Sequence, residues 1–153
     1  MLVRSLIKRP PVGINPNATL REAAAEMGEE EVGCLAIWAE SRPRRAVGLV
    51  TERDILAAVA DGADPDESLV WDHMTDAPTV VEPTASVGEA ARIMVEGGFR
   101  HLPVEDSGET VAIISFRDLL YAALEESAAQ ARIDWYDYLA GQRDSGAPTH
   151  DGG

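Results

Sequence analysis

The sequence predicts an α/β fold: two pseudo-symmetric repeats of element order β-α-β-β-α packed as one module, followed by a long C-terminal helix. Three observations predict it. Gly48-Leu49-Val50-Thr51-Glu52-Arg53-Asp54-Ile55 recurs 64 positions later as Ala112-Ile113-Ile114-Ser115-Phe116-Arg117-Asp118-Leu119. Upstream the offset is 67: Pro11 meets Pro78, Pro16 meets Pro83, Glu22-Ala23-Ala24 meets Glu89-Ala90-Ala91, and Met27 meets Met94. Within each copy, extended, helix-periodic and continuously apolar stretches follow in the same order. The offset shortens by three residues after Ala39–Arg45, so that segment is a surface loop, where length change is tolerated.

Each repeat opens on a proline-bounded arm, Pro11–Pro16 or Pro78–Pro83, because a residue before proline avoids the helical region. Helix starts follow with capping-box chemistry, Thr19-x-x-Glu22 and Ser86-x-x-Glu89. Leu20, Ala23, Ala24 and Met27 recur at i, i+3, i+4 and i+7, as do Val87, Ala90, Ala91 and Met94; both are amphipathic helices with one buried stripe. Strands Cys34–Trp38 and His101–Val104 come next. After a turn-rich stretch, Ala46–Val50 and Val111–Ile114 read as strands buried on both faces, because their apolar runs are unbroken. Second helices start near Asp54 and Asp118. The organisation is thus residues 1–60 for repeat 1 with its arm, 61–76 for a linker, 77–124 for repeat 2, 125–140 for a helical extension and 141–153 for a disordered tail. Within the linker, Leu69, Val70, Trp71 and Met74 predict a short segment packed on the domain. Trp135, Tyr136 and Tyr138 form an aromatic cluster on the extension, suited to packing.

Composition bounds the function. Each repeat of about 50 residues is marginal alone, so the two are expected to share a core. No apolar run approaches the roughly 18 residues that span a bilayer, and the first residues lack a signal-peptide core. With Cys34 the only cysteine, a soluble cytoplasmic protein without membrane partners is expected. Net charge is −14, and Lys8 is the only lysine among 13 basic residues, which argues against nucleic-acid binding. A GC-rich genome and a salt-rich cytoplasm account for this balance equally well. Three histidines and one cysteine show no metal-ligand spacing, and no nucleophile–base pair or paired carboxylates point to an enzyme.

Thr51-x-x-Asp54 and Ser115-x-x-Asp118 each sit where a strand becomes a helix. The first turn of a helix offers free N–H groups and a positive dipole end, which suits phosphate. A carboxylate can also accept from the paired hydroxyls of a ribose. The same pattern caps a helix without any ligand, and the two roles are compatible. Arg100 offers a forked donor for phosphate, and His101 a second donor that becomes cationic near neutral pH. Arg53 and Arg117 are further candidates; pairing of these arginines with Glu52 or Glu105 is the alternative. Repeat 1 has Gly33-Cys34-Leu35-Ala36 where repeat 2 has Arg100-His101-Leu102-Pro103, so the two clefts are not expected to be equivalent, and the second repeat is the favoured ligand site. Gly48 against Ala112 is a smaller difference, one methyl group at a possible close backbone approach. Cys34 reads as a small buried apolar residue.

The doubled apolar-strand-[Thr/Ser]-x-x-Asp motif, with Arg100-His101-Leu102-Pro103-Val104 in the second copy, resembles a tandem pair of CBS domains, a Bateman module, over about residues 3–124. The resemblance implies a pseudo-twofold α/β sandwich and clefts between the copies that bind AMP, ADP, ATP or S-adenosylmethionine. It assigns Asp54 and Asp118 to ribose, and Thr51 and Ser115 to the ribose–phosphate region. The arm and strand positions Ile14, Thr79, Val81 and Pro103 complete the candidate ligand contacts. It further implies a homodimer and no required cofactor beyond the regulatory ligand. The expected function is a stand-alone regulatory module that passes ligand binding to an unknown protein partner or to its own assembly. The alternative is a structural or interaction protein with vestigial clefts.

Overall fold

The computed structural model describes the backbone of residues 1–131 and the side-chain environments of residues 1–127. Met1–Leu119 forms one compact unit, and the chain from Leu120 onward belongs to a second. In the first unit, repeat 1 runs β1 (Gly13–Ile14), α1 (Leu20–Glu30), β2 (Cys34–Ile37), β3 (Gly48–Thr51) and α2 (Glu52–Ala60). The linker supplies α3 (Val70–His73) and β4 (Thr75–Asp76). Repeat 2 runs α4 (Val87–Gly97), β5 (His101–Asp106), β6 (Glu109–Ser115) and α5 (Phe116–Ala131). The expected strand of the second arm shrinks to one parallel bridge, Val81 to Val104. For α5, helix is described to Ala131; the aromatic cluster and the tail lie outside the described residues.

The repeat-1 sheet has the order β1-β2-β3-β4, with β1 parallel to β2 and the other pairs antiparallel. Its strands and α1 bury Leu20, Ala23, Met27, Leu35, Ile37 and Val50 in one core with Ala58 and Val70. The capping box of α1 forms as expected: Thr19 Oγ1 accepts from the Glu22 N–H at 3.2 Å, and Glu22 Oε2 accepts from the Thr19 N–H at 3.2 Å. Ala24, placed in the buried stripe by its spacing, is exposed; it lies at the edge of the stripe, and α1 rests on the sheet over a narrower arc. Only β3 has the doubly buried character expected of both second strands. It lies between β2 and β4, whereas β6 pairs with β5 alone and alternates between buried Thr110, Ala112 and Ile114 and half-buried Val111 and Ile113.

The linker explains a glycine. A Cβ on Gly48 would stand 2.8 Å from the Thr75 carbonyl oxygen, so the close approach of β4 to β3 requires glycine there. Ala112, its counterpart in β6, is buried at 2% exposure on a strand whose single partner is β5, and carries a methyl group.

The repeats are joined by exchanged segments. The linker docks on repeat 1: Val70 N–H donates to Ala18 O (2.9 Å), Trp71 N–H to Pro16 O (3.2 Å), and Leu20 N–H to Ser68 O (2.9 Å). The N-terminal 3-10 turn Val3–Leu6 docks on repeat 2 through the same bonds, 67 positions apart. Val3 N–H donates to Ala85 O (2.8 Å), Arg4 N–H to Pro83 O (2.9 Å), and Val87 N–H to Met1 O (3.0 Å). Val3 and Val70 are both fully buried. The loop carrying the three extra residues is exposed, as expected, and ties to the β5–β6 hairpin. Arg44 pairs with Glu109 at 2.9 Å, Arg45 with Glu105 at 3.0 Å, and Ala46 N–H donates to Thr110 Oγ1 at 3.0 Å.

Candidate functional site: a cleft between the repeats

A cleft of about 270 Å³ opens where the repeats meet. Repeat 1 contributes Leu49, Thr51, Glu52, Arg53 and Asp54; the linker contributes Thr75 and Ala77; repeat 2 contributes Pro78, Thr79, Gly98, Phe99, Arg100 and His101. The cleft has an apolar wall in Leu49, Pro78 and Phe99, two carboxylates from the first turn of α2, and two guanidinium groups.

The sequence dictates the Thr51–Asp54 corner locally. Thr51 is extended and caps α2: its Oγ1 accepts from the Asp54 N–H at 3.2 Å, while Asp54 Oδ2 accepts from the Thr51 N–H at 2.8 Å. Asp54 Oδ1 has no hydrogen-bond partner among the described residues, so the capping reading and an open acceptor coexist. The second motif folds alike: Asp118 Oδ2 accepts from the Ser115 N–H at 2.8 Å, and Ser115 Oγ accepts from the Asp118 N–H at 3.2 Å.

The pairing across the interface differs from the sequence expectation. Arg100 and His101 were expected to serve the second repeat's own motif; they line the same cleft as Asp54 and Thr51 of the first. Thr79 and Arg53 join them, whereas Ser115, Arg117 and Asp118 are not among that cleft's lining residues. Nor are Ile14, which packs on the repeat-1 core, Val81, which is buried beside β5, and Pro103, which is fully buried in β5. The physical reason is that the start of β5 lies between the two motifs: its backbone adjoins Ser115 and Phe116 of its own repeat, while Arg100 and His101 line the cleft with the other repeat's helix start.

Gly33 and Arg100 occupy equivalent backbone positions, and Gly33 sits close to groups of the cleft. Glu52 N–H donates to Gly33 O at 3.0 Å, as Phe116 N–H donates to Arg100 O at 2.8 Å. A Cβ on Gly33 would meet Glu52 Oε1 at 3.1 Å and His101 Cε1 at 3.3 Å. A side chain at 33 would require these two groups to give by a few tenths of an ångström.

Electrostatics separates the cationic candidates. No carboxylate lies within 4.0 Å of the Arg53, Arg100 or Arg117 guanidinium among the described residues, and Glu105 pairs with Arg45 instead. Arg53 donates to the Gly98 carbonyl at 3.4 Å. His101 departs from the expected cation. Burial pushes its pKa below the ordinary 6.5, Arg100 pushes the same way, and Glu52 and Asp118 offset only part of this. Cys34 is buried as expected, and burial, then Asp54, pushes its thiol pKa up.

Sequence reasoning missed the rest of the cleft. Glu52 and Leu49 lay inside the recognised motif and Phe99 beside Arg100, so adjacency was the available signal. Thr75 and Ala77 had none, because pairing of β4 with β3 brings them in. Ala77 adopts a left-handed φ of 41°, a strained state for a residue with a Cβ. Among the described residues, no helix is long and apolar enough to cross a membrane, and no group of three His, Cys, Asp or Glu residues could hold a metal ion.

A family model described as CBS domain matches residues 3–61 and again residues 70–125. The chain is 42% identical over 119 residues to an uncharacterized 17.7 kDa protein of Acidianus ambivalens, covering 76% of this chain and 70% of that protein. It is 33% identical over 120 residues to an uncharacterized protein of Methanopyrus kandleri, covering 77% of this chain and spanning 60% of that one. Among solved structures, a CBS domain protein from Pyrobaculum aerophilum complexed with AMP matches with a TM-score of 0.76 and 38% identity, covering 84% of this chain and 99% of that one. A CBS-domain protein from Agrobacterium tumefaciens matches with a TM-score of 0.75 and 29% identity, covering 80% and 99%.

Proposed function

The chain belongs to the CBS domain family, as a tandem pair, and on that premise we propose that it is a regulatory module that binds an adenosine-containing ligand in the cleft between its repeats. The single observation that carries this reading is the meeting of Thr51 and Asp54 from one repeat with Thr79, Arg100 and His101 from the other. The free Asp54 oxygen suits a ribose diol, and Arg100 with Arg53 suits a phosphate. Leu49, Pro78 and Phe99 offer an apolar face for a base. AMP is the first candidate, because the Pyrobaculum aerophilum relative is complexed with it. ADP, ATP and S-adenosylmethionine are the comparators.

Because the lining comes from both repeats, a ligand that prefers one arrangement of the repeats shifts their equilibrium, with a typical coupling of about 1–3 kcal/mol. The chain then acts on a protein partner or on its own assembly, in the cytoplasm, by binding and not by catalysis. A homodimer is the assembly we favour. Leu56 and Val59 on α2 are 71% and 49% exposed, a surface that a second copy would cover. Light scattering that shows a monomer at all concentrations would remove the dimer from the proposal.

One observation favours the alternative of a structural protein with vestigial clefts: the Thr51–Asp54 bonds complete a helix cap without any ligand. Thermal shift with AMP separates the two. Saturation at about a hundred times Kd adds about 2.7 kcal/mol of stability. No shift with any of the four adenosine compounds, at low and at molar salt, would leave the structural reading standing.

A further inference from the structure

We propose that binding of a phosphate-bearing ligand in this cleft is linked to uptake of one proton at His101, which makes the module sensitive to pH as well as to ligand. The inference rests on the ligand reading above and adds to it a regulatory input.

The geometry is that of one imidazole shared between the repeats. His101 opens β5, lines the Asp54 cleft, and places Cε1 against Gly33 of the other repeat. Its ladder partner is Ser115, whose N–H is bonded to Asp118. The charged and titratable groups around it come from every neighbouring element. They are Glu52, Arg53 and Asp54 of α2, Asp118 of α5, and Arg100 beside it.

The protein's own groups favour the neutral imidazole. Burial and the Arg100 cation outweigh the pull of Glu52 and Asp118. A dianionic phosphate seated on Arg100 reverses it: the ligand screens the Arg100 charge and adds two negative charges within a few ångströms. The neutral ring then takes a proton from solvent, and the imidazolium becomes a second charge-assisted donor to the phosphate. By linkage, the affinity for such a ligand falls as pH rises, by up to about tenfold per pH unit where uptake is complete. An adenosine without phosphate lacks the charge that drives the uptake.

The test is isothermal titration of AMP into the full chain at about pH 7.2, in buffers of different ionisation enthalpy, repeated with adenosine and with His101→Gln. AMP should take up between about 0.3 and 1 proton per site. Adenosine should take up none, and His101→Gln should bind AMP more weakly with no uptake. AMP binding whose enthalpy is independent of buffer overturns the inference and leaves the ligand reading intact. Uptake that persists in His101→Gln also overturns it, because another group then carries the proton. If AMP does not bind at all, both the ligand reading and this inference fail. The wild-type buffer series decides the question even if His101→Gln fails to fold.

Discussion

Asp54 and Asp118 occupy matching positions in the repeat and make matching local bonds, yet only Asp54 lines the cleft that holds Arg100 and His101. Asp54 shares that cleft with Arg100 and His101, so Asp54→Asn should abolish the AMP-induced thermal shift, while Asp118→Asn should leave most of it. The same shift assay checks both, and equal loss would overturn the asymmetry. Arg100→Gln should weaken AMP by about tenfold or more, the worth of a charge-assisted hydrogen bond, and leave adenosine nearly unchanged. His101 carries a stability prediction too. Its folded pKa lies below the ordinary 6.5. As pH falls through that value the unfolded chain takes up a proton that the folded chain resists, so the unfolded state binds more protons and stability falls. Above that window the loss is absent. His101→Gln should therefore gain stability relative to wild type between about pH 8 and pH 5, read from melting temperatures across pH; a constant difference would contradict the depressed pKa.

The helices show how far local rules reach. Thr19, Thr51 and Ser86 cap their helices as the sequence pattern predicts, since capping needs only residues within one turn. The C-terminal ends are less uniform. Repeat 2 closes α4 on Gly98 at φ 69°, but the equivalent residue in repeat 1 is Glu31 at φ 56°. A side chain in the left-handed region costs about 1 kcal/mol that glycine avoids. Glu31→Gly should thus raise stability by about 0.5–1 kcal/mol, less the greater freedom of glycine when unfolded. Chemical denaturation checks it, and a clear loss would show that Glu31 makes a contact worth more than its strain. The strands were less legible than the helices. Continuous apolar runs made β3 and β6 look alike, and only β3 has a partner on each edge.

At the scale of the whole first unit, the exchanged segments tie the two repeats together. The N-terminal turn completes repeat 2 and the linker completes repeat 1, through hydrogen bonds 67 positions apart. Val3→Ala should cost about 2 kcal/mol from two lost methyl groups and the space they leave. Hydrogen exchange should show the loss in α4 and β5 of repeat 2 as well as at the N-terminus. Loss confined to the first few residues would show that the turn is an ornament and not a joint. The Val3–Val70 relation was written in the sequence at the same offset, but its meaning was not, because an offset does not say which repeat a segment docks on.

By itself the sequence determined the family, the doubled unit, the helix caps and the amphipathic faces, because each rests on residues within a turn or on a pattern repeated along the chain. The tertiary structure alone decided that Arg100 and His101 line the same cleft as Asp54, and that Thr75 and Ala77 reach that cleft. Those outcomes depend on how two similar surfaces cross. A duplicated sequence permits either motif to share a cleft with the Arg-His pair, and only the packing of the two repeats puts Asp54 in that cleft.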